Sequence, residues 1–253
     1  MLDRDDIDVS YLMTILNILE QNSVGGGYFG KSEISPLDGI SKQKNFAICK
    51  KGREASLMMG VPVHPTGFFV EREMWEKGDY KKFFYESDKY GIYPHAYVLG
   101  IIASKRDMLY SPIPFYYYMY RLNNKSSRFY KENIRKDYWW QPDSVIKTDN
   151  QLLLYLSKYA DDFYKKDLVY RRFKHGIYRV TILYKKVVAN QMEMERYGLQ
   201  VKNVSIEELL LNSLKCRVTF NYILNRLQMK NRSITNQINE IWHENIKTIM
   251  KLS

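Results

Sequence analysis

Residues 2–21 read LDRDDIDVSYLMTILNILEQ, and the reading of this stretch decides what kind of fold follows. Asp3, Asp5, Asp6 and Asp8 crowd the first eight positions. Behind them the apolar residues from Tyr11 to Leu19 recur at intervals of three and four, which predicts an amphipathic helix from about Ser10 to Gln21. Two physical accounts compete for the aspartates. A helix N-terminus favours carboxylates because of the positive end of its dipole. Alternatively, carboxylates at i and i+2 on a tight turn after a strand converge on one hard divalent cation, Mg or Mn, and leave open positions for phosphate oxygens.

The rest of the chain supplies the context. Its 253 residues, 45% hydrophobic and 15% aromatic, can bury a sizeable core and are far from a disordered composition. Cys49 and Cys216 lie far apart with no metal or redox spacing, which fits a reduced setting better than a disulfide framework. No run of 18 apolar residues predicts a membrane span, and the acidic start is unlike a signal peptide. Residues 1–122 carry 15 Lys and Arg against 15 Asp and Glu, whereas residues 123–253 carry 24 against 13. The whole net charge of +11 therefore belongs to the second half, which points to a polyanionic partner or to a solvated basic surface.

The first half alternates strand and helix signals. Ser23 to Gly30 reads as a glycine-rich turn leading into a short strand. It lacks the Gly-Lys-Ser/Thr ending of a phosphate loop and opens no helix, so it is no nucleotide cradle. Residues 31–54 read as a loop followed by a helix start. Gly67 to Val70 reads as a buried strand end and Arg72 to Lys77 as a short helix. Pro94 suits the first turn of a helix running through Ala103, and Met108 to Tyr120 is strongly strand-prone. From about Thr148 the chain reads as helices: Gln151 to Lys165, a long basic Leu168 to Tyr197, a segment headed by the capping box Ser205-Ile206-Glu207-Glu208 and running to about Lys230, and a last helix capped by Ser233. The expected division is an α/β unit over residues 1–127 and a basic helical extension over residues 128–253.

Three blocks in order carry a resemblance. Leu2-Asp3-Arg4-Asp5-Asp6-Ile7 with its helix resembles the segment of inverting, family-2 glycosyltransferases of the GT-A fold in which a strand ends in an Asp-x-Asp-Asp motif and a helix follows. Thr66-Gly67-Phe68-Phe69-Val70-Glu71-Arg72-Glu73-Met74-Trp75 looks like that family's acceptor-side strand leading into a short helix. Pro112 to Arg121, with Ser126-Ser127 after it, is similar to the aromatic strand, Tyr-Arg and Ser that end the catalytic domain. The resemblance covers about residues 1–127 and implies the C-terminal half of a GT-A, Rossmann-like domain followed by the basic helical extension. It leaves no counterpart for the strands that read the nucleotide base, so the expectation is a chain truncated at its start.

What the resemblance implies for residues is specific. Asp5 is the expected direct Mn or Mg ligand, Asp3 shares the ion or sits nearer the ribose, and Asp6 supports the site. Arg121 falls to donor binding. The family often places an acidic pair at a helix start as general base; here Ile92-Tyr93-Pro94-His95-Ala96-Tyr97 stands in that place and makes His95 the candidate, with Asp88 and Glu86 in reserve. A neutral imidazole can serve as base near pH 7. His64 reads as a loop residue. The implied partners are a nucleotide-sugar donor and a hydroxyl acceptor such as a lipid-linked glycan, for a cytoplasmic protein of bacterial polysaccharide or glycolipid synthesis, peripheral on the inner face of the membrane.

The basic extension offers a rival reading. Lys165-Lys166, Arg171-Arg172-Phe173-Lys174, Arg179 and Lys185-Lys186 are interleaved with Tyr164, Tyr170, Tyr178 and Tyr184. On a helix this predicts a basic surface with aromatic edges, suited to anionic headgroups, although some of those aromatics fit equally as core contacts between tail helices. The alternative is a non-enzymatic protein that binds nucleic acid or membrane. No Cys/His finger spacing, RNP-like strand or helix-turn-helix signal supports nucleic acid.

Overall fold

The computed structural model describes residues 5–7, 9–31, 47–52, 67–77, 94–118, 140–158, 162–196 and 198–252. Within these, the backbone alone is described at 5–7, 9–11, 28–31, 77, 94, 112–118, 162–164 and 196. The fold is mixed α/β, mostly helical with one small mixed sheet. It divides into two compact units, one formed by Met1–Lys89, Tyr93–Arg121 and Lys158–Tyr164, the other by Tyr90–Ile92, Leu122–Ser157 and Lys165–Ser253.

The first unit contains strands β1 (Asp5–Ile7), β2 (Gly26–Lys31), β3 (Ala47–Cys49), β4 (Phe68–Val70) and β5 (Met108–Tyr118), and helices α1 (Val9–Gln21), α2 (Arg72–Lys77) and α3 (Pro94–Lys105). The sheet runs β1-β5-β2-β4, with β3 also on β5. β2 and β5 are parallel; every other pairing is antiparallel. Met108, Leu109, Tyr110 and Ser111 are buried in succession, as a strand covered on both faces must be. α3 is buried almost all round from Ala96 to Ala103, so its apolar run has no polar face to turn outward. Ile15 of α1, Val24 and Leu109 form a small core with Leu12, Ile18, Leu19 and Phe69 packed on it. At Gly26 a Cβ would sit 2.3 Å from the carbonyl oxygen of Phe69, so only glycine lets β2 and β4 approach this closely. The loop and helix start expected over 31–54 give way to β3 at Ala47–Cys49, a three-residue strand that exists because Ala47 and Cys49 find Tyr110 and Met108 on β5.

The second unit is helical: α4 (Pro142–Leu156), α5 (Asp162–Tyr178), a π-helical turn (Arg179–Leu183), α6 (Tyr184–Val188), α7 (Gln191–Arg196), α8 (Ile206–Arg226) and α9 (Arg232–Met250). α4 starts six residues before the expected Thr148, because Pro142 occupies its first turn. It also stops at Leu156 rather than continuing to Lys165. The expected long basic helix is broken twice. At the π turn the amide of Tyr184 donates to the carbonyl of Arg179, five residues back. After Val188, Asn190 accepts the Glu193 amide through its side chain and starts α7 afresh. Ser205 caps α8, accepting the Glu208 amide at 3.2 Å. The Glu208 carboxylate accepts from Tyr184 Oη and Lys202 Nζ at 2.8 and 2.7 Å. The last helix is capped by Asn231, whose side chain accepts the Ile234 amide, and not by Ser233. Asparagine in the extended conformation does that work one residue ahead of the helix.

Candidate functional site

The sheet of the first unit has one end closed by polar ties. Asp107 accepts from the Lys51 amide and from Lys50 Nζ at 2.8 and 2.9 Å, and these bonds, the amide first, hold its carboxyl below the usual carboxylate range. Arg106 pairs with Glu71 at 3.4 Å, and the Gly25 amide donates to the Asp107 carbonyl. These contacts sit where β5 and β2 begin and β4 ends.

The predicted residues gather toward the opposite end. Asp5 and Asp6 lie on β1 opposite Tyr118 and Tyr117, the last two residues of β5. β5 and β2 run parallel, and the aspartates lie beside the carboxyl end of that pair; among the described residues, however, Asp5 and Asp6 open β1, which is antiparallel to β5, rather than ending a strand as the resemblance implied. β1 leads after one residue into α1. His95 is the second residue of α3, and its ring lies 6.3 Å from that of Phe68, the first residue of β4. β4 and β1 occupy the two ends of the strand order. Three strand spacings of about 4.8 Å thus separate the strand that His95 faces from the strand that holds Asp5. A substrate reaching both must lie across the sheet end. Asp3, Asp88, Arg121, Glu86 and His64, together with Ser126-Ser127, lie outside the described residues.

Among the described residues no three His, Cys, Asp or Glu side chains form a metal cage. A magnesium-like site that keeps positions for phosphate and water needs only one or two carboxylates from the protein. Asp5 on β1 carries one such carboxylate, and Asp3 lies outside the described residues.

The second unit holds a cluster that the reading of the tail as a basic surface missed. Arg172, His175, Gly176 and Arg179 fall on one face of α5 and its continuation, and they meet Asp149 of α4. Arg172 Nη1 donates to Asp149 Oδ1 at 3.4 Å and Arg179 Nη1 stands 3.5 Å from the same oxygen, with all three side chains no more than 6% exposed. Gly176 makes room: a Cβ there would come within 3.3 Å of Asp149 Oδ2 and 3.9 Å of Cys216 Sγ. Burial, and then the charge of Asp149, pushes the Cys216 thiol far up, so it stays protonated and inert. Two arginines expected on a headgroup-binding face are therefore internal, while Lys166, Lys174 and Lys186 remain exposed. Tyr184 is core, stacked on Trp140, whereas Tyr170 and Tyr178 are exposed. The available signal was Gly176 inside a helix, flanked by arginines seven residues apart.

A second polar chain pins the π turn. Trp242 Nε1 donates to Ser213 Oγ at 3.1 Å, Ser213 to Asn245 Oδ1 at 3.0 Å, Asn245 Nδ2 to Thr181 Oγ1 at 3.0 Å, and Thr181 to the Ile177 carbonyl at 2.6 Å. The chain joins α8, α9 and the π turn through buried groups that are each partnered.

His175 gives the cluster a pH dependence. Burial holds its imidazole down at about 4; Asp149 pulls it up, and Arg172 and Arg179 push it further down. The folded pKa lies below the unfolded value near 6.5, so the stabilisation is complete above pH 6.5 and is lost as pH falls toward 4. The expected loss over that window is up to about 3 kcal/mol. Urea unfolding of wild type and His175→Gln at pH 7 and at pH 4.5 checks it. The stability gap between the two proteins should narrow or invert at the lower pH; a gap that stays constant contradicts the assignment.

No protein-family model, curated protein or solved structure matches the chain. Among the described residues no helix is long and apolar enough to cross a membrane.

Proposed function

We propose that the first unit is the acceptor-side part of a metal-dependent, inverting GT-A glycosyltransferase that moves a sugar from a nucleotide-sugar donor to a hydroxyl acceptor. One observation carries this reading: Asp5 and Asp6 lie beside the carboxyl end of the parallel pair β2–β5, on a short antiparallel strand that leads after one residue into a helix. The order of the three sequence blocks supports it. So does the strand-to-helix step from β4 into α2, and the position of His95 at the start of α3 beside β4.

In this reading Asp5 and Asp3 hold a Mn or Mg ion, with Asp6 behind them and Arg121 toward the donor. When bound, the ion neutralises charge on the departing nucleoside diphosphate. His95 accepts the proton of the acceptor hydroxyl as the oxygen bonds to the anomeric carbon; the bond from that carbon to the diphosphate breaks on the opposite face, which inverts the centre. The hydroxyl acceptor enters from the β4 side, where His95 and Phe68 stand.

Release of nucleoside diphosphate from a panel of nucleotide sugars tests the proposal. Any release by wild type is expected to need Mn, to be abolished by EDTA, and to be slowed by His95→Ala about a hundredfold or more. Release that ignores EDTA, or that His95→Ala leaves unchanged, overturns the assignment.

A further inference from the structure

The longest described helix of the second unit, α8, is apolar on two faces. Leu209, Cys216, Phe220, Ile223 and Leu224 point into the unit and are buried. On the other side Leu211, Leu214, Val218 and Tyr222 recur at intervals of three and four, which sets them along one stripe. These four are 52%, 48%, 59% and 60% exposed. A helix that covers a core on one face ordinarily turns polar on the other. Here the outer stripe continues for three turns, about 16 Å, and a contiguous exposed apolar patch marks a contact surface.

The charges along that face decide what covers it. Glu207 and Glu208 lie in the first turn, Lys215 beside the middle of the stripe, where Asp143 stands 3.5 Å from it, and Arg226 in the last turn. Lys202 pairs with Glu208 and Arg217 lies over the Trp242 ring, so the face carries both signs in near balance and gives an anionic bilayer or a polyanion little hold. The charges are also ordered, acidic at the start and basic at the end. A second α8 laid antiparallel presents the reverse order, with opposed helix dipoles.

We infer that the outer face of α8 is a self-association surface on which two copies of this chain pair through antiparallel α8 helices. A two-fold axis between Cys216 and Arg217 sets Leu211 of one copy against Tyr222 of the second copy. It sets Val218 level with Lys215 and next to Leu214, and Glu207 against Arg226. Each contact then occurs twice, as an isologous interface requires. Three turns of one helix bury less than the roughly 800 Å² per partner of a standard interface, so the dimer is weak and concentration-dependent.

Sedimentation velocity of the full chain, from low micromolar to near-millimolar, reads the equilibrium. Wild type is expected to shift from monomer to dimer, and Val218→Lys, which sets like charges against Lys215 of the second copy, to weaken the association at least about tenfold, or 1.4 kcal/mol. Unchanged circular dichroism would show that Val218→Lys still folds. Orientation is read by oxidative cross-linking of Leu211→Cys chains mixed with Tyr222→Cys chains, the native cysteines being buried. The mixture should cross-link between the two variants, and neither variant efficiently with itself. A chain that stays monomeric throughout, an association indifferent to Val218→Lys, or cross-links of Leu211→Cys to itself would overturn the inference.

Discussion

Asp149→Ala is expected to cost the second unit about 3–5 kcal/mol, the scale for breaking a buried ion pair by removing one partner. Arg172 and Arg179 both address Asp149 Oδ1, and neither guanidinium is more than 3% exposed. Removing the carboxylate leaves two like charges side by side in a medium that solvates them poorly, in a helix–helix contact where even a Cβ on Gly176 would come within 3.3 Å of Asp149 Oδ2. A loss of this size is a large share of the 5–15 kcal/mol that holds a typical domain, so Asp149→Ala can leave the unit unfolded at ordinary temperature. Asp149→Asn keeps the shape and one acceptor while removing the charge, and should fall between wild type and Asp149→Ala. Urea midpoints followed by far-UV circular dichroism give the order. Equal midpoints for all three proteins would mean that the guanidinium groups are solvated and the cluster is not a structural centre.

What could be read without coordinates follows from which signals are local. α1, α3 and β5 were legible because their patterns are self-contained: apolar spacing of three and four from Tyr11 to Leu19, Pro94 at a helix start, and a run of β-prone aromatics from Phe115. β3 was not, because Ala47-Ile48-Cys49 becomes a strand only through its partner on β5. The breaks in the tail were missed for a similar reason. A π turn leaves no mark on periodicity, and Asn190 caps α7 inside a pattern that otherwise continues. The internal arginines are the most instructive miss. Charge counting assigns Arg172 and Arg179 to a surface; only the pairing of α4 with α5 reveals that one aspartate draws both inward. For the first unit, only the family resemblance brought Asp5 and His95 together as candidates. The strand order adds that they stand on different margins of the sheet, which sequence spacing cannot express.

Asp5→Ala carries the other large expected effect. If the acidic opening exists to hold a divalent ion against a diphosphate, Asp5 contributes a direct oxygen ligand, and no neighbouring group in β1 can replace it without shifting the strand from its register with Tyr118. Affinity for the ion in the presence of a nucleoside diphosphate should fall by at least about tenfold, or 1.4 kcal/mol. The fold should survive, because a residue on a three-residue edge strand contributes little to the core around Ile15 and Leu109. Asp8, just past the strand, serves as the control: Asp8→Ala removes one carboxylate and the same unit of charge, and should leave binding within about twofold if ligation rather than bulk electrostatics sets the affinity.

The most direct measurement is therefore a Mn titration by electron paramagnetic resonance, with a nucleoside diphosphate present, on wild type, Asp5→Ala and Asp8→Ala. The account predicts one saturable site in wild type and in Asp8→Ala that is lost or at least about tenfold weaker in Asp5→Ala. Three superimposable titrations, or a loss shared equally by Asp8→Ala, would contradict it.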